Sequence, residues 1–151
     1  MSLAVVADFE GLDRLVRRMD RIRHMDTSEL LDGVGSAVES QVRRRIQEDQ
    51  SGPDGVDWPS WSVAYAQTRH GGHSLLRSSG GLVDSIQYVV DGDRVAIGSN
   101  LVYAAIHQFG GAEAGKAEIP ARPYLGLSAS DLTQLEDIID DWAQRQMEGL
   151  A

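Results

Sequence analysis

The chain has 151 residues, 42% of them hydrophobic, and a formal charge of −9 from 23 acids against 14 bases. That length suits one domain with a buried core, and the acidic balance argues against a dedicated nucleic-acid binder, whose affinity comes from neutralising phosphates. The lack of cysteine excludes disulfide frameworks, cysteine-ligated zinc and thiol catalysis, and no apolar run approaches the roughly 20 residues that span a bilayer.

The apolar residues at 3–7 are too few for the centre of a secretory signal, and Asp8 follows at once. Residues 3–6 read as a short strand or an extended lead-in. Leu12, Leu15, Val16, Met19 and Ile22 then recur at helical spacing. Arg14, Arg17, Arg18 and Arg21 fall on nearly the opposite face, so the spacing predicts an amphipathic helix with a basic back. Asp26 and Glu29, three apart, resemble a capping box at the start of a second helix. Its apolar face is Leu31, Val34, Val38, Val42 and Ile46. Gly33 and Gly35 weaken that helix by about 1 kcal/mol each relative to alanine, unless their small size admits a neighbouring backbone. The run Ser51, Gly52, Pro53, Asp54 and Gly55 must end it.

Residues 58–73 read as an irregular ordered loop pinned by Trp58 and Trp61. Residues 82–90 and 94–98 read as strands around Asp91 and Gly92, a two-residue hairpin signal. Ile86, Tyr88 and Val90 share one face, with Val95 and Ile97 pairing across. Residues 102–109 suit a short helix stopped by Gly110 in a left-handed conformation. Residues 111–118 are small and polar. Pro120 and Pro123 hold the residues before them extended, which makes residues 119–124 a strap. A last helix begins near Ser128, with Asp131 three residues on and Leu135, Ile138, Ile139 and Trp142 as its buried stripe. The pattern predicts an α+β fold in one domain over residues 1–151: an antiparallel sheet packed with two N-terminal helices and one C-terminal helix.

A search for chemistry finds no constellation. His70 and His73 in a glycine loop lack the further ligands of a zinc site, so no metal or other cofactor is expected. His107 stands among apolar neighbours without a nominated nucleophile; it reads as a packed histidine bonded to backbone, with a small hydrolase acting through it as the rival. Ser78, Ser79, Gly80 and Gly81 lack the lysine of a phosphate loop. Glu136, Asp137, Asp140 and Asp141 read as a solvated acidic face. The stripe from Arg14 to Arg21 and the run Arg43, Arg44 and Arg45 also read as solvated faces, and any DNA contact is expected to be weak.

Several segments carry a pattern in order. Pro53-Asp54-Gly55 precedes Trp58-Pro59, then Leu75-Leu76 and the run from Gly80 through Ile86. Val95-Ala96-Ile97-Gly98-Ser99 follows, then Tyr103-Ala104-Ala105-Ile106-His107-Gln108-Phe109-Gly110, then Ile119-Pro120-Ala121-Arg122-Pro123-Tyr124. From residue 53 to 127 the chain resembles the phage virion morphogenesis family of Mu-like phages and prophages, related to tail completion proteins of other long-tailed phages. The outer helices fit that pattern in kind only.

The resemblance implies a non-enzymatic structural protein that completes the tail or the head–tail joint, in the virion and in the host cytoplasm during assembly. Its implied partners are other copies of itself, in a ring or other homo-oligomer, and tail or head–tail connector proteins, with no membrane. A transient assembly chaperone or adaptor is the alternative. Candidate structural and interaction residues are Trp58, Trp61, Tyr103, His107, Gln108, Gly110, Pro120, Arg122 and Pro123. The planar guanidinium of Arg122 suits carbonyls or a carboxylate. Residues 111–118 bury too little apolar surface to offset an ordering cost of about 1–2 kcal/mol per residue. They are expected to be mobile in the free subunit and ordered by a neighbouring copy or a tail partner.

Overall fold

The structure, a computed structural model, describes residues 9–69 and 71–150. The strand expected at residues 3–6 lies outside them. The first helix, α1, is Phe9–Arg23. The second, α2, is Ser28–Arg44, and its backbone runs on through one wider π turn, Arg45–Asp49, to Gln50 at φ 53°. Asp26 and Glu29 form no capping box. Asp26 Oδ1 instead accepts the Ser28 N–H at 2.9 Å. The stop at residues 51–55 holds: Gly52 N–H donates to Val56 O at 2.8 Å, and Trp58 N–H returns to Gln50 O at 3.1 Å.

The segment expected to open the first strand is instead a helical turn, α4, Gly81–Ser85. Another short helix, α3, Val63–Gln67, interrupts the loop before it. Leu82, Val83 and Ile86 are all buried, and this spacing points them one way on a helix but to both faces of a strand. Strands β1, Gln87–Asp91, and β2, Arg94–Gly98, form a two-stranded antiparallel hairpin. Tyr88 pairs with Ile97 and Val90 with Val95, as the alternation requires. The turn falls one residue later than expected, on Gly92 and Asp93, because Asp91 already pairs with Arg94. Helix α5 is Ala104–Phe109, and α6 is Ala129–Glu148.

The core gathers Val38, Val42 and Ile46 with Trp58, Leu82, Val83, Ile86, Ala104, Tyr124 and Leu135. Helix α2 is its axis, packing on α6 and on both strands. Gly35 makes the hairpin's approach possible: a Cβ there would lie 2.2 Å from Tyr88 Cδ2. The small residue thus serves packing rather than weakening the helix. Two expectations about packing fail. Helix α1 forms, yet it does not pack on the sheet: Leu12, Leu15, Val16, Met19 and Ile22 are 49–61% exposed. Ile139 is also exposed, so the buried stripe of α6 narrows to Leu135 with Ile138 and Trp142 half-buried beside it.

The run at residues 43–45 is not a solvated face. Arg43 donates to Ile86 O at 2.7 Å. Arg45 is buried; its Nη1 donates to Tyr124 O at 2.8 Å and Gly126 O at 3.0 Å, and its Nη2 pairs with Asp131 Oδ2. Asp131 in turn closes a capping box with Ser128 at the start of α6. Asp131→Ala leaves the Arg45 charge buried without its counter-ion, which costs about 3–5 kcal/mol. Urea unfolding should show this as a lowered midpoint with an unchanged slope.

Candidate functional site

The strap at residues 119–124 closes onto α5, and the sequence explains how. Gly110 ends the helix at φ 82°. A Cβ there would meet Ala121 N at 3.0 Å, so glycine is needed for its backbone angle and for the strap's close approach. The ψ of 171° is extended rather than left-handed helical. Arg122 N–H donates to His107 O at 2.7 Å, and Gly111 N–H to Ile119 O at 2.9 Å. The Gln108 amide then clamps the next turn of chain: its Oε1 accepts from Tyr124 N–H and Leu125 N–H, each at 3.0 Å.

Buried side chains tie the strap to the body. Trp58 Nε1 donates to Pro123 O at 2.9 Å, and the Tyr124 hydroxyl to Ala104 O at 2.9 Å. Burial pushes the Tyr124 phenol up from its usual range. The Arg122 guanidinium reaches carbonyls, as its shape suits: Nε to Pro59 O at 2.8 Å and Nη2 to Ser60 O at 3.2 Å. Trp58, Gln108, Gly110, Arg122 and Pro123 thus belong to one hydrogen-bonded knot.

Beside this knot lies a cleft of about 460 Å³. Trp61, Tyr103, His107, Pro120 and Arg122 line it, so the candidate residues converge on the knot and the cleft next to it. Of the two tryptophans expected to pin the loop at residues 58–73, Trp58 is the buried one, 5% exposed. Trp61 stands in the cleft wall, edge-on to Tyr65 at 5.9 Å between ring centres. Tyr65 belongs to α3, whose first turn is capped by Ser62 Oγ accepting the Tyr65 N–H at 3.3 Å. Arg69 stacks on the outer ring, 4.5 Å from its centroid, a favourable cation–π geometry. Tyr65, Arg69 and Arg77 also line the cleft and were missed by sequence reasoning. The spacing of Ser62 to Tyr65, a cap ahead of a short helix, was the available signal.

His107 sits edge-on to Tyr103 at 5.9 Å. It is not the backbone-bonded histidine expected, since its buried Nδ1 has no hydrogen-bond partner. Burial first, and the Arg122 charge second, hold its pKa below the ordinary value. A general base needs a second group to fix its tautomer and aim it, and among the described residues no carboxylate bonds the Nδ1 of His107. Among the described residues no three metal-ligating side chains gather, and His70 lies outside those residues. The loop at residues 111–118 has its own closure: Lys116 N–H donates to Gly111 O at 2.8 Å and Ala114 N–H to Gly111 O at 3.0 Å around a 3₁₀ turn, Ala112–Ala114. These backbone hydrogen bonds give the loop a local shape that composition does not reveal.

The sequence profile of the phage virion morphogenesis family matches residues 7–144. The chain belongs to this family. The match takes in both N-terminal helices and most of α6, well beyond the segments that carried the resemblance. The chain is 39% identical over 134 residues to protein G of Escherichia phage Mu, named for capsid assembly; the alignment covers 83% of this chain and 86% of that protein. It is 42% identical over 66 residues to the Mu-like prophage FluMu G protein 2 of Haemophilus influenzae, covering 42% of this chain and 47% of that protein. No solved structure matches it. This virion morphogenesis protein has no helix, among its described residues, long and apolar enough to cross a membrane.

Trp58 and Trp61 of the family protein should separate in a stability measurement. Trp58→Ala removes a core ring and its hydrogen bond, a loss of about 3–5 kcal/mol, whereas Trp61→Ala should stay within about 1 kcal/mol of wild type; thermal melts of both decide it. His107 should titrate below the ordinary histidine value in an NMR pH series. A base whose folded pKa is lowered binds its proton more readily when unfolded. Its contribution is therefore present above about pH 6.5 and lost as pH falls toward the folded value, and His107→Gln should flatten that part of the stability profile.

Proposed function

We propose that this family member is a non-enzymatic structural component that completes the phage tail or the head–tail joint. It works as a homo-oligomer in contact with tail or head–tail connector proteins, in the virion and, during assembly, in the host cytoplasm. The observation that carries this reading is the direction of the motif side chains. Gln108, Arg122, Trp58 and Tyr124 aim their polar atoms at backbone groups, so the motif's chemistry goes into holding a shape. His107, the one side chain suited to proton transfer in that motif, has no aligned partner at Nδ1. Family membership over residues 7–144 supports the same reading. A head-side role is the second reading, favoured by the capsid-assembly name of the Mu relative. Charge keeps any DNA contact weak, because the chain carries −9 overall.

Deleting the gene from a phage genome that carries it should yield separate filled heads and tails in electron micrographs, with infectivity restored by adding purified protein to the lysate. Mass spectrometry of purified virions should find the chain at a fixed copy number. Absence from the particle, with assembly still dependent on the protein, would make it a transient adaptor. Normal particles without the gene would overturn the proposal.

A further inference from the structure

Among the described residues, an apolar stripe left at the surface matches an apolar groove elsewhere on the chain. One is the stripe on α1, where Leu12, Leu15, Val16, Met19 and Ile22 stand about half exposed. The other is a groove of about 350 Å³ in which the core residues Val38, Val42 and Leu135 are already buried, and Val34 of α2, Ile97 of β2 and the exposed Leu127 are the walls that still meet solvent. At 1.5 Å per residue the stripe runs about 15 Å from Leu12 to Ile22, and the α2 wall about 12 Å from Val34 to Val42. We propose that α1 of one copy lies in the groove of a second copy, so that each subunit gives a helix and receives one. The proposal rests on the self-association in the function proposed above and names its interface.

Charge supports a second copy as the occupant. Helix α1 holds five arginines against three acids, while α6 holds six acids against one arginine. Arg18 follows Leu15 by three residues and precedes Ile22 by four, which sets it on the flank of the stripe. On α6, the exposed Leu132 and Ile139 flank Leu135, and Glu136 and Asp140 lie one row further round. A basic-flanked helix therefore meets an acidic-flanked groove, an arrangement that favours this partner over an unrelated apolar helix.

The link between α1 and α2 argues for exchange between copies rather than folding back. Residues 24–27 contain no glycine or proline. His24 N–H donates to Asp20 O at 3.1 Å, its Nδ1 lies 2.8 Å from the same oxygen, and Asp26 Oδ1 holds Ser28 N–H. These bonds set the link locally and leave α1 outside the main packings of the body. A helix given on one surface and received on another makes a head-to-tail contact, which closes into a ring when the rotation allows.

Light scattering of the full chain should show mass rising with concentration. Leu15→Asp with Met19→Asp should leave the melting temperature unchanged and hold the protein monomeric. Arg18→Glu should weaken assembly at least tenfold, and Asp140→Arg in the same chain should restore it. Because the chain has no cysteine, a mixture of Met19→Cys and Leu127→Cys variants should cross-link between copies under mild oxidant. A wild type that stays monomeric, or a double-cysteine variant that closes only within one chain, would overturn this interface. Either result leaves the complementation of the gene deletion to decide the proposed function separately.

Discussion

The pairing of Arg45 with Asp131 is the constraint on which the rest of the architecture depends. It joins the last turn of α2 to the first turn of α6 across 86 residues of sequence. Asp131 accepts from Arg45, from Arg44 at 3.4 Å and from Ser128 N–H at 3.0 Å, so one carboxylate serves an ion pair and a helix cap together. The other arm of Arg45 takes the carbonyls of Tyr124 and Gly126 and fixes where the strap ends. A buried charge is tolerated only when its hydrogen-bonding directions are filled, and these carbonyls and the carboxylate fill them. Apolar packing alone would allow α6 to slide along α2. This pair allows one register, and the Gln41 amide repeats the choice one turn earlier by donating to Gln134 Oε1 at 2.8 Å.

That register also explains how so small a sheet can matter. Two strands are marginal without a surface to pack on. Helix α2 supplies it, with Gly35 drawing Tyr88 into contact and Glu39 accepting the Tyr88 N–H at 3.2 Å. The Tyr88 hydroxyl reaches Asp32 at 2.5 Å, which pushes the phenol pKa up, first through that hydrogen bond. The hairpin is therefore held along α2 by contacts from Asp32 to Glu39, and its edge meets solvent.

What the sequence made legible divides along physical lines. Period and punctuation reported local geometry well: both N-terminal helices, the stop at residues 51–55, the hairpin and its shared face though not its turn position, the cap from Ser128 to Asp131 and the extended strap all follow from residue type and spacing. The misses were questions of partnership. Helical periodicity in α1 says which side is apolar but not whether anything covers it. Three adjacent arginines look alike in sequence, yet of the three only Arg45 is buried: it follows Gln41 by four residues and Val42 by three, on the inward side of α2. Residues 82–86 are apolar enough for a strand, and only the burial of adjacent Leu82 and Val83 separates helix from strand. Among the candidate site residues, the strap and its ties were legible because proline, glycine and arginine have narrow uses. The cleft beside them also drew on Tyr65, Arg69 and Arg77, which carry no motif; Tyr65 reaches it through α3 and the two arginines from the loop that follows.

The two halves of this molecule differ in what holds them. The body, from α2 to α6, is cross-tied by side chains that bond to backbone across long sequence separations, and such bonds resist shear because each has a direction. Helix α1 takes no part in the main packings of the body, and an isolated helix of 15 residues is marginal in water. Packing on a second copy, as proposed above, would supply the support it lacks. A net charge of −9 keeps free subunits apart at long range, but salt screens that repulsion beyond about 8 Å in physiological conditions. Short-range apolar contact is screened far less. In the interface proposed above, so acidic a subunit would stay dispersed while dilute and associate when held close to its neighbours.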